Sequence, residues 1–229
     1  MADSSRGQPQ RGRFISFEGG EGAGKSTQIR MLADRLDTAG TRVIVTREPG
    51  GSPGAEIIRH VVLSGVGKMF GPEAETLLFA AARDDHVHSV IAPALEQGIW
   101  VLCDRFSDST RAYQGRLGNV SPELMNAMER VTIGHLKPDL TVILDLPVEI
   151  GMARAMARRG NDAPDRFESE GVTFHQGLRD AFRQIAADDP DRCAVIDASR
   201  DVTSVASAVW LEVLKRLDPL VENNRTAPA

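Results

Sequence analysis

Five short apolar runs, at 13–17, 42–46, 99–103, 140–146 and 193–197, punctuate the chain and alternate with longer stretches whose apolar residues fall at helical spacing. The runs are rich in β-branched and aromatic residues and too short for helices, so each predicts a buried strand. Run 99–103 is apolar almost throughout, the pattern of a central parallel strand covered on both faces, and it would carry Asp104 and Arg105 at its C-terminal tip. Between the strands, Ile29, Leu32, Ala33 and Leu36 predict a first helix. Ile57, Ile58, Val61 and Val62 give a second helix, 53–63, its apolar face, and 72–97 reads as helical with Leu77, Leu78, Ala81 and Ala82 available for packing. Ser121 and Pro122 mark the start of a helix running to His135. Helices at 148–159 and 171–187 follow, and Val202, Val205, Ala206, Val209, Trp210, Val213, Leu214 and Leu217 put a regular stripe on the closing helix. Strand and helix in alternation imply a parallel sheet of about five strands with right-handed crossovers and helices on both faces.

The first strand and first helix are joined by Glu18-Gly19-Gly20-Glu21-Gly22-Ala23-Gly24-Lys25-Ser26-Thr27, which fits G-x-x-x-x-G-K-[ST] from Gly19 to Ser26. A polyphosphate wrapped by backbone N–H groups needs glycine where a Cβ would collide or φ must be positive, and Gly19, Gly22 and Gly24 meet that need. The helix that follows aims its free amides at the phosphates, Lys25 adds a mobile charge for the β and γ oxygens, and the Ser26 hydroxyl suits Mg²⁺. Residues 19–27 are therefore the candidate nucleotide loop, with Gly20, Glu21, Ala23 and Thr27 completing it, and the fold class is a P-loop NTPase-type α/β fold.

The chain has 229 residues, 41% hydrophobic and 26% charged, enough for one globular domain. We expect a disordered tail over 1–12, one domain over 13–217 and a frayed tail over 218–229, with no internal repeat. A net charge of −5 argues against a duplex nucleic-acid partner, whose affinity would come from many Lys and Arg on phosphates. Cys103 and Cys193 each sit in an apolar run and read as free core thiols suited to a reducing cytoplasm. The lack of an eighteen-residue apolar run and of an apolar leader implies no membrane partner.

Positive charge is placed where ligands gather in open α/β sheets. Arg47 and Arg105 directly follow strands, and Arg154, Arg158, Arg159 and Arg166 flank the polar stretch 160–165. Arg154 and Arg158, four apart, share a helix face.

Taken in order, the phosphate loop with Phe17-Glu18 before it, T-R-E-P-G-G from Thr46, L-L-F-A-A-A-R from Leu77, D-R-F from Asp104, S-T-R-A-Y-Q-G from Ser109, P-D-L-T from Pro138 and D-R-F-E from Asp165 resemble the bacterial thymidylate kinase family. The resemblance spans 14–217, and it implies transfer of the γ-phosphoryl of MgATP to dTMP by a homodimer. Carried over, it implies that Arg47 and Arg105 hold the dTMP phosphate, Phe79 stacks on thymine and Arg83 hydrogen-bonds it. Glu21 would approach the 3′-hydroxyl, and Thr110, Tyr113 and Gln114 would lie near base and deoxyribose. The family usually has Asn where this chain has Thr110. The loop has no basic residue at 20–23, so the resemblance assigns transition-state charge to a lid at about 154–168, with Arg154, Arg158, Arg159 and Arg166 as candidates. The acceptor is itself a phosphate, whose second pKa of about 6 leaves it largely dianionic at neutral pH, so no general base is needed. Asp104 is accordingly assigned with Ser26 to Mg²⁺. Two rivals share the loop: a kinase for another nucleotide or nucleoside acceptor, and a P-loop switch ATPase, which leaves the arginines without a task.

Overall fold

Every residue of the first strand, Phe14–Glu18 (β1), is buried, because β1 lies in the middle of the sheet. The computed structural model describes residues 11–160, 167 and 169–217. The other strands are Val43–Arg47 (β2), Trp100–Asp104 (β3), Leu140–Asp145 (β4) and Cys193–Asp197 (β5). They form one parallel sheet in the order β2-β3-β1-β4-β5. Phe17 pairs in register with Asp104 on one side and Val142 on the other, and Arg47 pairs with Asp104. The tips of β1, β2 and β3 are thereby brought together at one edge, beside the point where the strand order reverses.

Helices cover both faces. On one, Lys25–Thr38 (α1) and Val202–Leu217 (α9) bury Ile29, Leu32, Leu36, Val205, Val209, Trp210 and Val213 against Ile15, Phe17, Leu102 and Val142. The remaining helices are Pro53–Leu63 (α2), Gly71–His86 (α3), Ala92–Glu96 (α4), Ser107–Thr110 (α5), Pro122–Thr132 (α6), Val148–Arg159 (α7) and Val172–Asp188 (α8), and α4 and α8 pack on the sheet through two further apolar clusters. One cluster centres on Val87, Ile91, Leu95 and Phe106, the other on Tyr113, Leu178 and Phe182. Cys103 and Cys193 are buried free thiols. Among the described residues no helix is long and apolar enough to cross a membrane. Gly12 already belongs to the body, its N–H donating to the Leu95 carbonyl at 2.8 Å, while residues 1–10 and 218–229 of the two expected tails lie outside the described residues.

Three features depart from the periodicity. In α2 it is Ala55 and Val62 that are buried, whereas Ile57 is exposed. In α3, Leu77 and Ala81 face outward while Glu75, Thr76, Arg83 and His86 are buried, and of these Arg83 and His86 find their partner in Glu48 of the β2 loop. The expected helix 72–97 is interrupted by a π-helical turn at Val87–Ile91, and a second π turn, Arg111–Leu117, follows α5 where the pattern gives no element. The wider turn buries three consecutive residues, Ala112, Tyr113 and Gln114, a spacing that no 3.6-residue period contains.

Candidate active site

A cleft of about 500 Å³ opens at the strand tips, lined by the phosphate loop, Arg47, Phe79, Arg83, Asp104, Arg105, Thr110, Tyr113, Gln114, Arg158 and Phe167. Its floor is the turn between β1 and α1, where φ is 135° at Gly19, 67° at Gly22 and 92° at Gly24. A Cβ on Gly22 would lie 2.1 Å from the Gly151 carbonyl oxygen, and one on Gly19 would lie 2.5 Å from that of Leu144. Glycine is required there by both conformation and space. Ala23 lines the cleft and also belongs to the apolar core, while the Thr27 N–H turns back to the Gly24 carbonyl at 3.1 Å to start the helix.

Lys25 Nζ donates to the carbonyls of Gly19 and Gly20, each at 3.1 Å. Burial pulls its pKa down and Arg105 adds to that, with Glu21, Asp104 and Glu18 opposing. An anion in the loop removes that disadvantage, which is how a buried lysine becomes a phosphate ligand. Ser26 Oγ donates to Asp104 Oδ2 at 2.8 Å. Two hard oxygen donors side by side at the loop's mouth fit Mg²⁺, which takes few protein ligands and fills its octahedron with water and phosphate oxygens.

The opposite wall is built on the turn after β3. Arg105 adopts φ 71°, rare for a residue with a side chain. Its guanidinium donates to Glu21 Oε1 at 2.6 Å and to Ser109 Oγ at 3.3 Å and lies 5.2 Å from the Tyr113 ring centre. Burial works against the Arg105 charge, but Tyr113, Glu21 and Asp104 outweigh it and raise the pKa. Burial likewise pushes Glu21 up, and Arg105, Lys25 and Arg158 overcome it, holding that carboxyl below its ordinary value. Arg47 reaches Glu56 at 2.8 Å from the rim and is half exposed. Phe79 lies 6.5 Å from Phe167, which meets Tyr113 edge-on at 4.9 Å. Arg83 is buried and donates to Thr110 Oγ1 at 2.9 Å, so Thr110 helps to hold the arginine as well as lining the cleft.

The arginine cluster separates. Arg158 lines the cleft, its guanidinium 4.0 Å from Glu21 Oε2. Arg154 is one turn earlier but donates to the Ala198 carbonyl at 3.3 Å, beyond the end of β5, and does not line the cleft. The shared helix face expected for the two holds at Cα and is undone by side-chain length: the long stems diverge to different sheet tips. Arg159 is also absent from the cleft lining, and Arg166 lies outside the described residues.

Four groups went unassigned from the sequence. Phe167 was visible only as a letter of the D-R-F-E motif. Glu48 forms buried contacts with Arg83 and with His86, described below. Glu18, at the tip of β1, accepts from the Phe106 N–H at 2.7 Å and from Ser109 Oγ at 2.6 Å, joining the two central strand tips. Its signal was an acid closing a strand that is otherwise apolar but for Ser16. Burial, with a smaller push from Asp108, raises the Glu18 carboxyl to about 8.

This gives a pH signature. The folded state holds a proton that the unfolded chain releases near 4.5, so the stabilisation is complete below that pH and is lost as pH rises through about 8. In Glu18→Gln the amide oxygen can still accept from the Phe106 N–H, and the side chain no longer binds a proton. Stability of this variant should fall less steeply between about pH 5 and 8 than that of the parent, by up to about 1.4 kcal/mol per pH unit. Denaturant midpoints across that range measure it, and identical slopes would show Glu18 ionised.

A family model described as "Thymidylate kinase" matches residues 17–209. The "Thymidylate kinase" of Bradyrhizobium diazoefficiens is 71% identical over 220 residues, covering 96% of each chain. That of Nitrobacter winogradskyi is 76% identical over 201 residues, 88% of this chain and 87% of its own. That of Rhodopseudomonas palustris (strain BisB18) is 68% identical over 216 residues, 94% of each. With a phosphate loop facing a second arginine-lined wall across one cleft, and likeness of this extent along the chain, the protein belongs to the thymidylate kinase family.

Proposed function

We propose that the protein transfers the γ-phosphoryl of ATP to dTMP, giving dTDP, in the cytoplasm, where its two buried thiols stay reduced. The observation that carries this reading is the opposition of two anion seats in one cleft: Lys25 with the loop amides on one wall, Arg105 with Arg47 on the other. The first seat takes the donor's phosphates and the second the acceptor's. Ser26 and Asp104 would hold Mg²⁺, which supplies charge neutralisation on the phosphates when bound. Arg105 and Lys25 lower the repulsion between two anionic reactants, and Arg158 reaches the space between the seats. Glu21, drawn to Arg105 at 2.6 Å, stands where a sugar hydroxyl beside the acceptor phosphate would meet it. Phe79 flanks the base, and Tyr113 and Gln114 close the sugar end.

A second copy of the chain covers the face formed by α2, α3 and α6. Ile57, Leu77 and Val131 on these helices, and Met69 and Phe70 on the 3-10 turn Val66–Phe70 between α2 and α3, are all more than half exposed, and an apolar surface so grouped calls for a partner. A coupled assay across dTMP, dUMP, UMP, dCMP and thymidine tests the activity, with dTMP expected to give the highest kcat/KM. Equal turnover without any acceptor would instead identify a switch ATPase. The same preparation should sediment at twice the 24.8 kDa chain mass, and a monomer would remove the dimer.

A further inference from the structure

A line of buried polar groups crosses from the β2 loop through α3 to the cleft. Thr46 Oγ1 and His86 Nε2 are 2.7 Å apart, and His86 Nδ1 lies 3.1 Å from Glu48 Oε1. Arg83 Nε donates to Glu48 Oε2 at 2.8 Å, and Arg83 Nη2 donates to Thr110 Oγ1 at 2.9 Å and to the Phe106 carbonyl at 3.2 Å. His86 has no solvent exposure, and Glu48 and Arg83 have 6% each. Desolvating such charges costs about as much as their attraction returns, so an apolar trio would hold the fold as well. The line is also locked to the backbone: at Gly51, φ 88°, a Cβ would lie 2.5 Å from both His86 Nε2 and Thr46 Oγ1.

The consequence falls on Arg83. Nε and Nη2 are committed inside the protein and the Phe106 ring lies 5.2 Å from the guanidinium carbon. Nη1 makes no hydrogen bond among the described residues, and Arg83 lines the cleft beside Phe79. A guanidinium only donates. Left mobile, it could swing away from a mismatched base, but held at two of its three nitrogens it stays.

We propose that Glu48 and His86 are positioning residues for base selectivity: they hold Arg83 in the one orientation that offers Nη1 to a carbonyl oxygen on the pyrimidine edge, and offers nothing to an amino group there. The inference rests on the dTMP reading above. A base with an exocyclic amine sets donor against donor in a site that cannot yield, and a site built to pair one polar group rejects its mismatch strongly.

The test compares the KM for dTMP with the inhibition constant for dCMP, which needs no dCMP turnover. Glu48→Gln and His86→Leu should raise the dTMP KM about tenfold while dCMP binding holds or improves, with kcat and the KM for ATP within about twofold of the parent. His86→Gln, which can both donate and accept, should recover most of the selectivity. Thr46→Val, which removes only the outermost hydroxyl, should shift the ratio in the same direction, and serves if His86→Leu does not fold. Equal weakening of dTMP and dCMP in these variants would make the line merely structural and overturn the proposal. Arg83→Leu separates the layers: it should abolish selectivity, and an unchanged ratio in that variant would refute the base-side reading itself.

Discussion

Lys25→Ala should lower kcat by on the order of 10³-fold while the protein remains folded. The Lys25 ammonium is buried and its two partners are the Gly19 and Gly20 carbonyls at the loop's inner rim. Truncation leaves those oxygens to water entering the cleft, so the fold loses little. Phosphoryl transfer loses a charge that follows the β and γ oxygens as negative charge redistributes between them, an interaction stronger in the transition state than in the bound substrate. Circular dichroism and thermal melting establish the fold, and steady-state assays with both substrates saturating give kcat. Turnover near the parent value in a folded variant would remove the loop from the chemistry.

Arg158→Ala should produce a loss of similar size through a different route. Positions 20–23 supply no cation, and among the described residues Arg158 is the member of the cluster that lines the cleft. At 4.0 Å from Glu21 and with 63% of its side chain exposed, it stands at the mouth of the cleft where the reacting groups come together. An arginine engaged mainly in the transition state lowers kcat, on the order of 10³-fold, with a smaller change in the KM for ATP. Arg154→Ala, whose guanidinium is occupied by the Ala198 carbonyl, should remain within about tenfold of the parent and serves as the matched control. If Arg158→Ala stays within a few-fold instead, the transition-state charge comes from another group.

The strands were the most legible part of the fold. Each apolar run became a strand displaced by no more than a residue or so, because the three central strands are covered on both faces and the edge strands β2 and β5 keep the same β-branched composition. The phosphate loop was equally plain, its spacing set by Gly19, Gly22 and Gly24. The inward face of α3 was not legible. Periodicity offers Leu77 and Ala81 for packing and says nothing of Arg83 or His86, whereas these two are buried by pairing with Glu48, a residue 35 positions away from the arginine. Pairings of that range leave no local mark. The π turn at 111–117 escaped for another reason: it puts Ala112, Tyr113 and Gln114 inside together, so that the resemblance, and not the pattern, pointed to Tyr113 and Gln114. Arg154 and Arg158 were equivalent by spacing and are distinguished only by where their stems lead.

The left-handed backbone at Arg105 carries a consequence for anyone selecting this protein for robustness. An L-residue held at φ 71° costs about 1 kcal/mol that glycine would not, and the conformation persists because the Arg105 N–H is tied to the Phe17 carbonyl at 2.9 Å and its side chain to Glu21. Glycine there would relax the turn but leave the largely buried Glu21 without the guanidinium that offsets its burial, so the substitution would cost more than the turn returns. A selection for heat resistance that ignores turnover would therefore keep Arg105 for its hold on Glu21, and keep the strained turn with it.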